Sequence, residues 1–464
     1  MARDPTIRLQ LSGYRFLVRR MTHALVRGDV RMLDDPLRAQ SLSLTVGCVL
    51  AVIAVAVCAT LAFLGPKSAL GSAPIVMVRE SGALYVRIGD TTHPALNLAS
   101  ARLVAGTAAT PELVSATAVD AAKKGALVGI PGAPDTLAPP LDATESNWTV
   151  CQDATSTTTV LVGADTERLD ASRSALVVAG GEGAAATYLL YDGVRARVDL
   201  RNPAVVRAFE LDGVRPRVVS RALLDAVPEV PELAVPVIAN AGRAGPSTLH
   251  GFAVGTVVRL PQADSTEYYV VLGDGVQRIG AAAADLIRFS YSAGLRDIAD
   301  VEPGVIGSVP VVDDLAVGRF PDRGGVSDEP VLCVGWKWST STRSVEHAVL
   351  VGDSLPVGDI DAVSSLAQAD DAGAGIDRSY LPRGRSAYVR ASGVTGAGAD
   401  TGALYYVDGS GVVFGLHDVD TAKRLGLPDA PVPAPWPVLA GLPRGPELSV
   451  AAASVVRDSL RPPP

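Results

Sequence analysis

The chain has 464 residues, enough for about three globular units at roughly 150 residues each. Apolar residues make up 48% of it, and 46 Gly with 33 Pro make it rich in turns without making it low-complexity. A formal net charge of −8 leaves no electrostatic footprint for nucleic acid, and four Cys with five His leave little material for metal chemistry.

Residues 1–38 carry eight Arg and four Asp, a net +4 against the acidic remainder. Within Tyr14–Arg31, the residues Phe16, Leu17, Met21, Leu25 and Val26 fall at helical spacing among arginines. One reading is a juxtamembrane helix on anionic lipid. The other is a docking helix for a cytoplasmic partner, with Arg15, Phe16, Leu17, Arg19 and Arg20 as the contact candidates.

No charged residue lies between Arg38 and Lys67, and Ser43–Leu64 is almost wholly apolar. About 22 residues at 1.5 Å each reach roughly 33 Å, enough for a hydrocarbon core of about 30 Å. A cleaved signal peptide is the competing reading, but the apolar run is too long and the preceding segment exceeds an n-region. Arg19, Arg20, Arg27, Arg31 and Arg38 precede the span, while only Lys67 and Arg79 follow it closely. The positive-inside rule then predicts a cytoplasmic N-terminus, with everything after about residue 65 outside.

Four later segments share one pattern: Ala83–Ala105, Thr187–Glu210, Glu267–Phe289 and Ala403–Leu425. Each opens with a β-branched and Tyr-rich run. A turn dipeptide follows: Gly89-Asp90, Asp192-Gly193, Asp274-Gly275 or Asp408-Gly409. A second short strand leads to a capping residue (Asn97, Asn202, Asp418) and a short helix, although the third copy lacks a clear cap. These predict four hairpin-plus-helix modules. Val150-Cys151 and Leu332-Cys333 each precede an apolar strand and each lie between two modules. The chain thus reads as a duplication, half one from about 75 to 225 and half two from about 255 to 430.

The predicted organisation starts with an arm (1–40), a membrane helix (41–65) and module one (66–115). The first stretch of the central core (116–178), module two (179–225) and module three (226–300) follow. The second stretch of the central core (301–395), module four (396–430) and a Pro-rich segment docked on the core (431–464) complete it. The expected fold is a single transmembrane helix plus an α+β outer domain, its β-rich centre pseudo-twofold and the whole elongated. Cys151 and Cys333 are the Cys pair beyond the span, at equivalent places in the two halves. A disulfide joining the halves is one reading; two free buried thiols are the other.

Motifs for chemistry are lacking in the sequence. None of the five Lys completes the phosphate-cradling G-x-x-x-x-G-K-[ST] pattern. Gly181–Ala186 matches a relaxed dinucleotide pattern, but a strand follows where a helix is needed. No catalytic, cofactor-binding or metal-ligating residue is expected.

The string Ser12-Gly13-Tyr14-Arg15-Phe16, Arg19-Arg20, Ala24-Leu25-Val26, Asp29, Arg31-Met32, Asp35-Pro36, Arg38 and Gln40, followed by the span, resembles the EccB family of the actinobacterial type VII (ESX) secretion machinery. So do the C-terminal Leu442-Pro443-Arg444-Gly445-Pro446-Glu447-Leu448-Ser449, the fourfold layout and the single Cys in each core block. The resemblance implies a structural core subunit of a multimeric inner-membrane complex, with a periplasmic scaffold domain. Its implied partners are the translocating ATPase EccC, EccD, EccE where present, and the mycosin protease, with peptidoglycan contact suggested by similarity of the modules to cell-wall-binding modules. Family members are often labelled ATPases, so ATP turnover is the alternative the resemblance brings, beside a cell-wall-binding anchor.

Overall fold

The computed structural model describes residues 5–28, 36–63, 70–180, 186–249, 251–262, 265–291, 298–370 and 373–457. Asp29–Asp35, residues 64–69 beyond the span and the Gly181–Ala185 stretch lie outside them. The chain divides into two compact units, Met1–Gly71 and Ser72–Pro464.

The first unit is helical. The arm helix runs Pro5–Arg27 and the span helix Pro36–Phe63. Each starts at a proline, whose fixed φ and missing N–H suit a first helical turn. Leu42–Thr60 is the one stretch among the described residues long and apolar enough to cross a membrane, and all of it is exposed.

Among the described residues the second unit holds five sheets, four of them built on one plan. The first uses Ile75–Val78, Leu84–Ile88, Thr91–Ala95 and Glu112–Val114. Its first strand pairs antiparallel with the second (Ile75 with Val86) and parallel with the last (Val76 with Glu112). The first-sheet helix, Leu98–Ala105, follows the hairpin. The second sheet repeats the pairing with Ala175–Ala179, Thr187–Tyr191, Val194–Arg197 and Arg217–Val219, and its helix is Pro203–Ala208. The third uses Val257–Pro261, Thr266–Val271, Val276–Ile279 and Ala299–Asp300, with the helix Ala281–Tyr291. The fourth uses Ala387–Ser392, Leu404–Val407, Val413–Leu416 and Val432–Pro435, with the helix Val419–Leu425.

The turns match the sequence pattern only at some hairpins. Asp192 and Gly193 sit at φ 43° and 76°, the left-handed pair that a two-residue hairpin needs. The third and fourth hairpins have longer loops than a dipeptide, closed by Leu272 N–H on Gly275 O and Asp408 N–H on Val412 O.

The first strands of the second and fourth sheets fall where the central core is expected, while those of the first and third fall within their own modules. All of Ala175–Ala179 but its last residue falls within residues 116–178, and Ala387–Ser392 falls within 301–395, both expected in the central core, yet they pair into the second and fourth sheets. The Pro-rich segment contributes strands: Val432–Pro435 runs parallel to Val389–Ser392, and Val456–Arg457 pairs with Leu127–Val128 on the first sheet. Proline is tolerated there because Val432–Pro435 is an edge strand.

The fifth, central sheet has the order Ser344–Gly352, Val331–Ser339, Asn147–Gln152, Thr158–Val162, Arg378–Tyr380, Val363–Ser365. Its first four strands in that order are two antiparallel hairpins joined through Val331–Ser339 and Asn147–Gln152. Thr158–Val162 is buried throughout, its two threonines included, whereas Ser344–Gly352 is buried only over Val349–Val351.

Candidate functional site

Cys151 and Cys333 are opposite residues on the two joining strands of the central sheet, and a disulfide connects them across 182 positions (S–S 2.02 Å, Cα–Cα 4.0 Å). Both are completely buried. In the chain-entropy account, a loop that long restricts the unfolded chain by about 5 kcal/mol at most. Trp148 and Trp336 face each other three positions away, 1% and 2% exposed. The Trp336 indole N–H donates to Val394 O at 2.8 Å, and His347 Nε2 donates to the same carbonyl at 2.8 Å. Burial pushes the His347 imidazole below its usual range, and the bond to Val394 opposes that shift.

Two hairpin turns rest on opposite flanks of this sheet. A side chain at Gly193 would meet the His347 backbone at 2.5 Å, and one at Gly411 (φ +88°) would meet Ser379 Oγ at 2.4 Å. Glycine is required at both points for close approach. The turn of the second sheet thus covers the outer strand Ser344–Gly352, and that of the fourth sheet covers Arg378–Tyr380.

The four small sheets join through their helices, and not in chain order. The first-sheet helix packs on the fourth-sheet helix, and the second-sheet helix on the third. One apolar cluster unites Ala99 and Leu103 with Leu404, Phe414 and Leu425. Another unites Phe209, Val205 and Leu189 with Ala282 and Leu286. Arg102 Nη1 donates to Leu425 O at 2.7 Å, tying the first-sheet helix to the last turn of the fourth. Burial pulls the Arg102 guanidinium below its ordinary value, partly offset by Tyr406. Sequence reasoning misses Arg102. Its only sequence trace is the matched framing of the two helices, Asn97 and Gly106 around one, Asp418 and Gly426 around the other.

The arm helix presents the five docking candidates. Arg15, Phe16, Leu17, Arg19 and Arg20 are all exposed, but they do not share one face. Leu11, Tyr14, Val18, Met21 and Leu25 recur at alternating three- and four-residue steps and so form one apolar seam, bordered by Leu17. Phe16 falls on the other side, one turn from Arg19 and Arg20. The stripe expected from Phe16 through Val26 is therefore corrected to this seam, because Phe16 to Met21 is a five-residue step that 3.6 residues per turn carries away.

Among the described residues, no three His, Cys, Asp or Glu come together as a metal cluster would require. Lys123 pairs with Asp90 and Lys124 with Asp120, both at the surface.

A family model described as "Type VII secretion system ESX-1, transport TM domain B" matches residues 3–462. The chain is 36% identical to the "ESX-5 secretion system ATPase EccB5" of Mycobacterium tuberculosis, over 98% of this chain and 94% of that relative. It is similar to a chain of an intact ESX-5 inner membrane complex (TM-score 0.70, 34% identity, 100% of this chain and 97% of that one). It is also similar to a chain of the periplasmic assembly from an ESX-5 inner membrane complex (TM-score 0.68, 36% identity, 86% of this chain and 100% of that one). The chain belongs to the EccB family.

Proposed function

We propose that this EccB-family chain is a structural core subunit of an inner-membrane type VII (ESX) secretion complex, anchored by one helix and carrying a periplasmic scaffold. The observation that carries the reading is the full-length likeness to a chain of an intact inner membrane complex. The internal construction suits a scaffold: a buried cross-strand disulfide clamps a central sheet, and two helix-paired flanks surround it.

Finer features belong to the same proposal. The arm lies in the cytoplasm and the large unit outside, supported by the charge step across Leu42–Thr60. The four small sheets are four copies of one repeat in a pseudo-twofold arrangement. Their shared strand pairing supports this, as does the joining of two hairpins at Cys151 and Cys333. The arm docks on cytoplasmic regions of the complex, of which the EccC ATPase and EccD are the family's candidates. EccE, the mycosin protease and peptidoglycan are candidates for the remaining contacts. The work of ATP hydrolysis falls to EccC in this reading, as the sequence has no phosphate-cradling loop.

The test is co-purification of the tagged full-length chain from membranes. Replacing Phe16 and Leu17 with Asp should release the other subunits while the Cys151–Cys333 bridge still forms. Unchanged co-purification would reduce the arm to a lipid contact. Failure of the unaltered chain to recover any membrane partner would overturn the scaffold reading itself.

A further inference from the structure

A cavity of about 540 Å³ opens between the far end of the central hairpin (Trp338, Arg343), the fourth sheet (Tyr388, Arg390) and the Pro428–Pro433 approach to its edge strand. That volume lies within the range of small-ligand and peptide sites. Pro428, Pro431 and Pro433 line one side and offer rings without N–H donors. Trp338 is 9% exposed, and its indole N–H has no hydrogen-bond partner among the described residues. The Tyr388 hydroxyl likewise has none, although Tyr388 is buried. Arg390 donates through Nη1 to Gly402 O. At the rim, Arg343 and Asp400 neutralise each other at 2.6 Å, whereas the exposed Asp429 carboxylate is unpaired among the described residues.

The wall thus combines apolar rings, donors without acceptors and two carboxylates without a salt bridge among the described residues, Asp429 and Asp142, of which Asp142 already accepts from Thr144 and Glu145 N–H. A polyproline-type strand matches all three. It has no internal hydrogen bonds, so its carbonyls face outward to accept from Trp338 and Arg390. Its rings pack on aromatic and proline surfaces, and its stiffness keeps the entropy loss on binding small. A saccharide fits less well, because its hydroxyls need acceptors as well as donors and the proline side supplies few. We propose that this cavity, independently of the scaffold reading, docks an extended proline-bearing peptide segment of a partner, with a basic side chain of that segment set against Asp429.

The test uses the full-length chain in neutral detergent and a fluorescent decapeptide of Pro-Pro-Arg repeats, read by anisotropy. Saturable binding is expected. Trp338→Phe, which keeps a ring but removes the N–H, should weaken it about tenfold. Asp429→Asn, an exposed change with no folding role, should weaken the Arg peptide about threefold and leave a Gln-for-Arg peptide unaffected. A peptide with Ala for Pro should lose binding. Absence of saturation, unchanged affinity in both variants, undiminished binding of the Ala peptide, or saturable binding of a chitin tetrasaccharide in its place would each overturn the proposal. An intact Cys151–Cys333 bridge in both variants separates lost binding from lost fold.

Discussion

The two helix pairs of the larger unit solve one packing problem in different ways. In the first–fourth pair the helices are framed alike. Asn97 accepts from Ser100 N–H and Asp418 from Thr421 N–H, and each helix ends on a left-handed glycine, Gly106 at φ 70° and Gly426 at φ 86°. Thr107 N–H returns to Arg102 O and Leu427 N–H to Ala422 O, closing both ends in the same six-to-one bond. Arginines cross between them: Arg102 reaches Leu425 O, and Arg424 Nη1 lies 3.1 Å from where a Gly106 side chain would begin.

The second–third pair is unlike within itself. Pro203–Ala208 has six residues and an Asn202 cap, while Ala281–Tyr291 has eleven. Its contact is a ring contact, Arg207 of the short helix over Phe289 of the long one, with Arg288 over the same ring and Phe209 just past the short helix edge-on to Phe320 of a later loop at 6.1 Å. At the position where the first- and fourth-sheet helices carry glycine, the short helix carries Glu210 at φ 54°. Local backbone rules stabilise the first pair where ring packing stabilises the second.

The comparison breaks most sharply on core truncation. Phe209→Ala removes a fully buried ring and should cost about 3–5 kcal/mol, and Leu103→Ala about 2–5 kcal/mol. Hydrogen exchange on the full-length chain should show the first change opening the second and third sheets alone, and the second change the first and fourth sheets alone. Equal opening everywhere in both variants would make the pairs one cooperative unit.

A smaller test inverts the sign at matched positions. Gly426→Ala forces a side chain into the left-handed region, about 1–2 kcal/mol, and toward Ala108 Cβ at 2.9 Å. Glu210→Gly relieves the same conformation and should raise stability by up to about 1 kcal/mol. Thermal melts in which both variants fall would give the Glu210 side chain a stabilising role that outweighs its backbone strain.

The smallest effect is one of pH. Backbone and side-chain hydrogen bonds from Thr421 hold the Asp418 carboxyl below its ordinary value. Its contribution is therefore full above the unfolded value and is lost as pH falls through the lowered folded one. Asn97 and Asn202 do not titrate. Acid should loosen the fourth-sheet helix before the first- and second-sheet helices, and Asp418→Asn should remove that order in exchange measured across the acid range.

Much of this frame is legible in the residues. The uncharged run before Lys67 reads as a long apolar helix, described over Pro36–Phe63, and the caps Asn97, Asn202 and Asp418 each accept at the helix start where the sequence places them. The third copy, whose sequence lacks a clear cap, has a longer helix for which no side-chain cap is seen. Less is legible for the arm, where spacing suggests one stripe for Phe16 and Met21 that helical geometry separates.

What the sequence determined by itself was local: the apolar span, the turn dipeptides Gly89-Asp90 and Asp192-Gly193, and the helix caps Asn97, Asn202 and Asp418. These depend on neighbours within a few residues, where spacing and backbone preference act directly. Tertiary structure alone decided that Ala175–Ala179 and Ala387–Ser392 leave the centre for the flanking sheets, that the last described residues return to the first sheet at Leu127–Val128, and that the first helix meets the fourth. An apolar strand pairs equally well with many partners, so its choice is made by the shape of the surfaces left to bury, over hundreds of residues, and no local pattern records it.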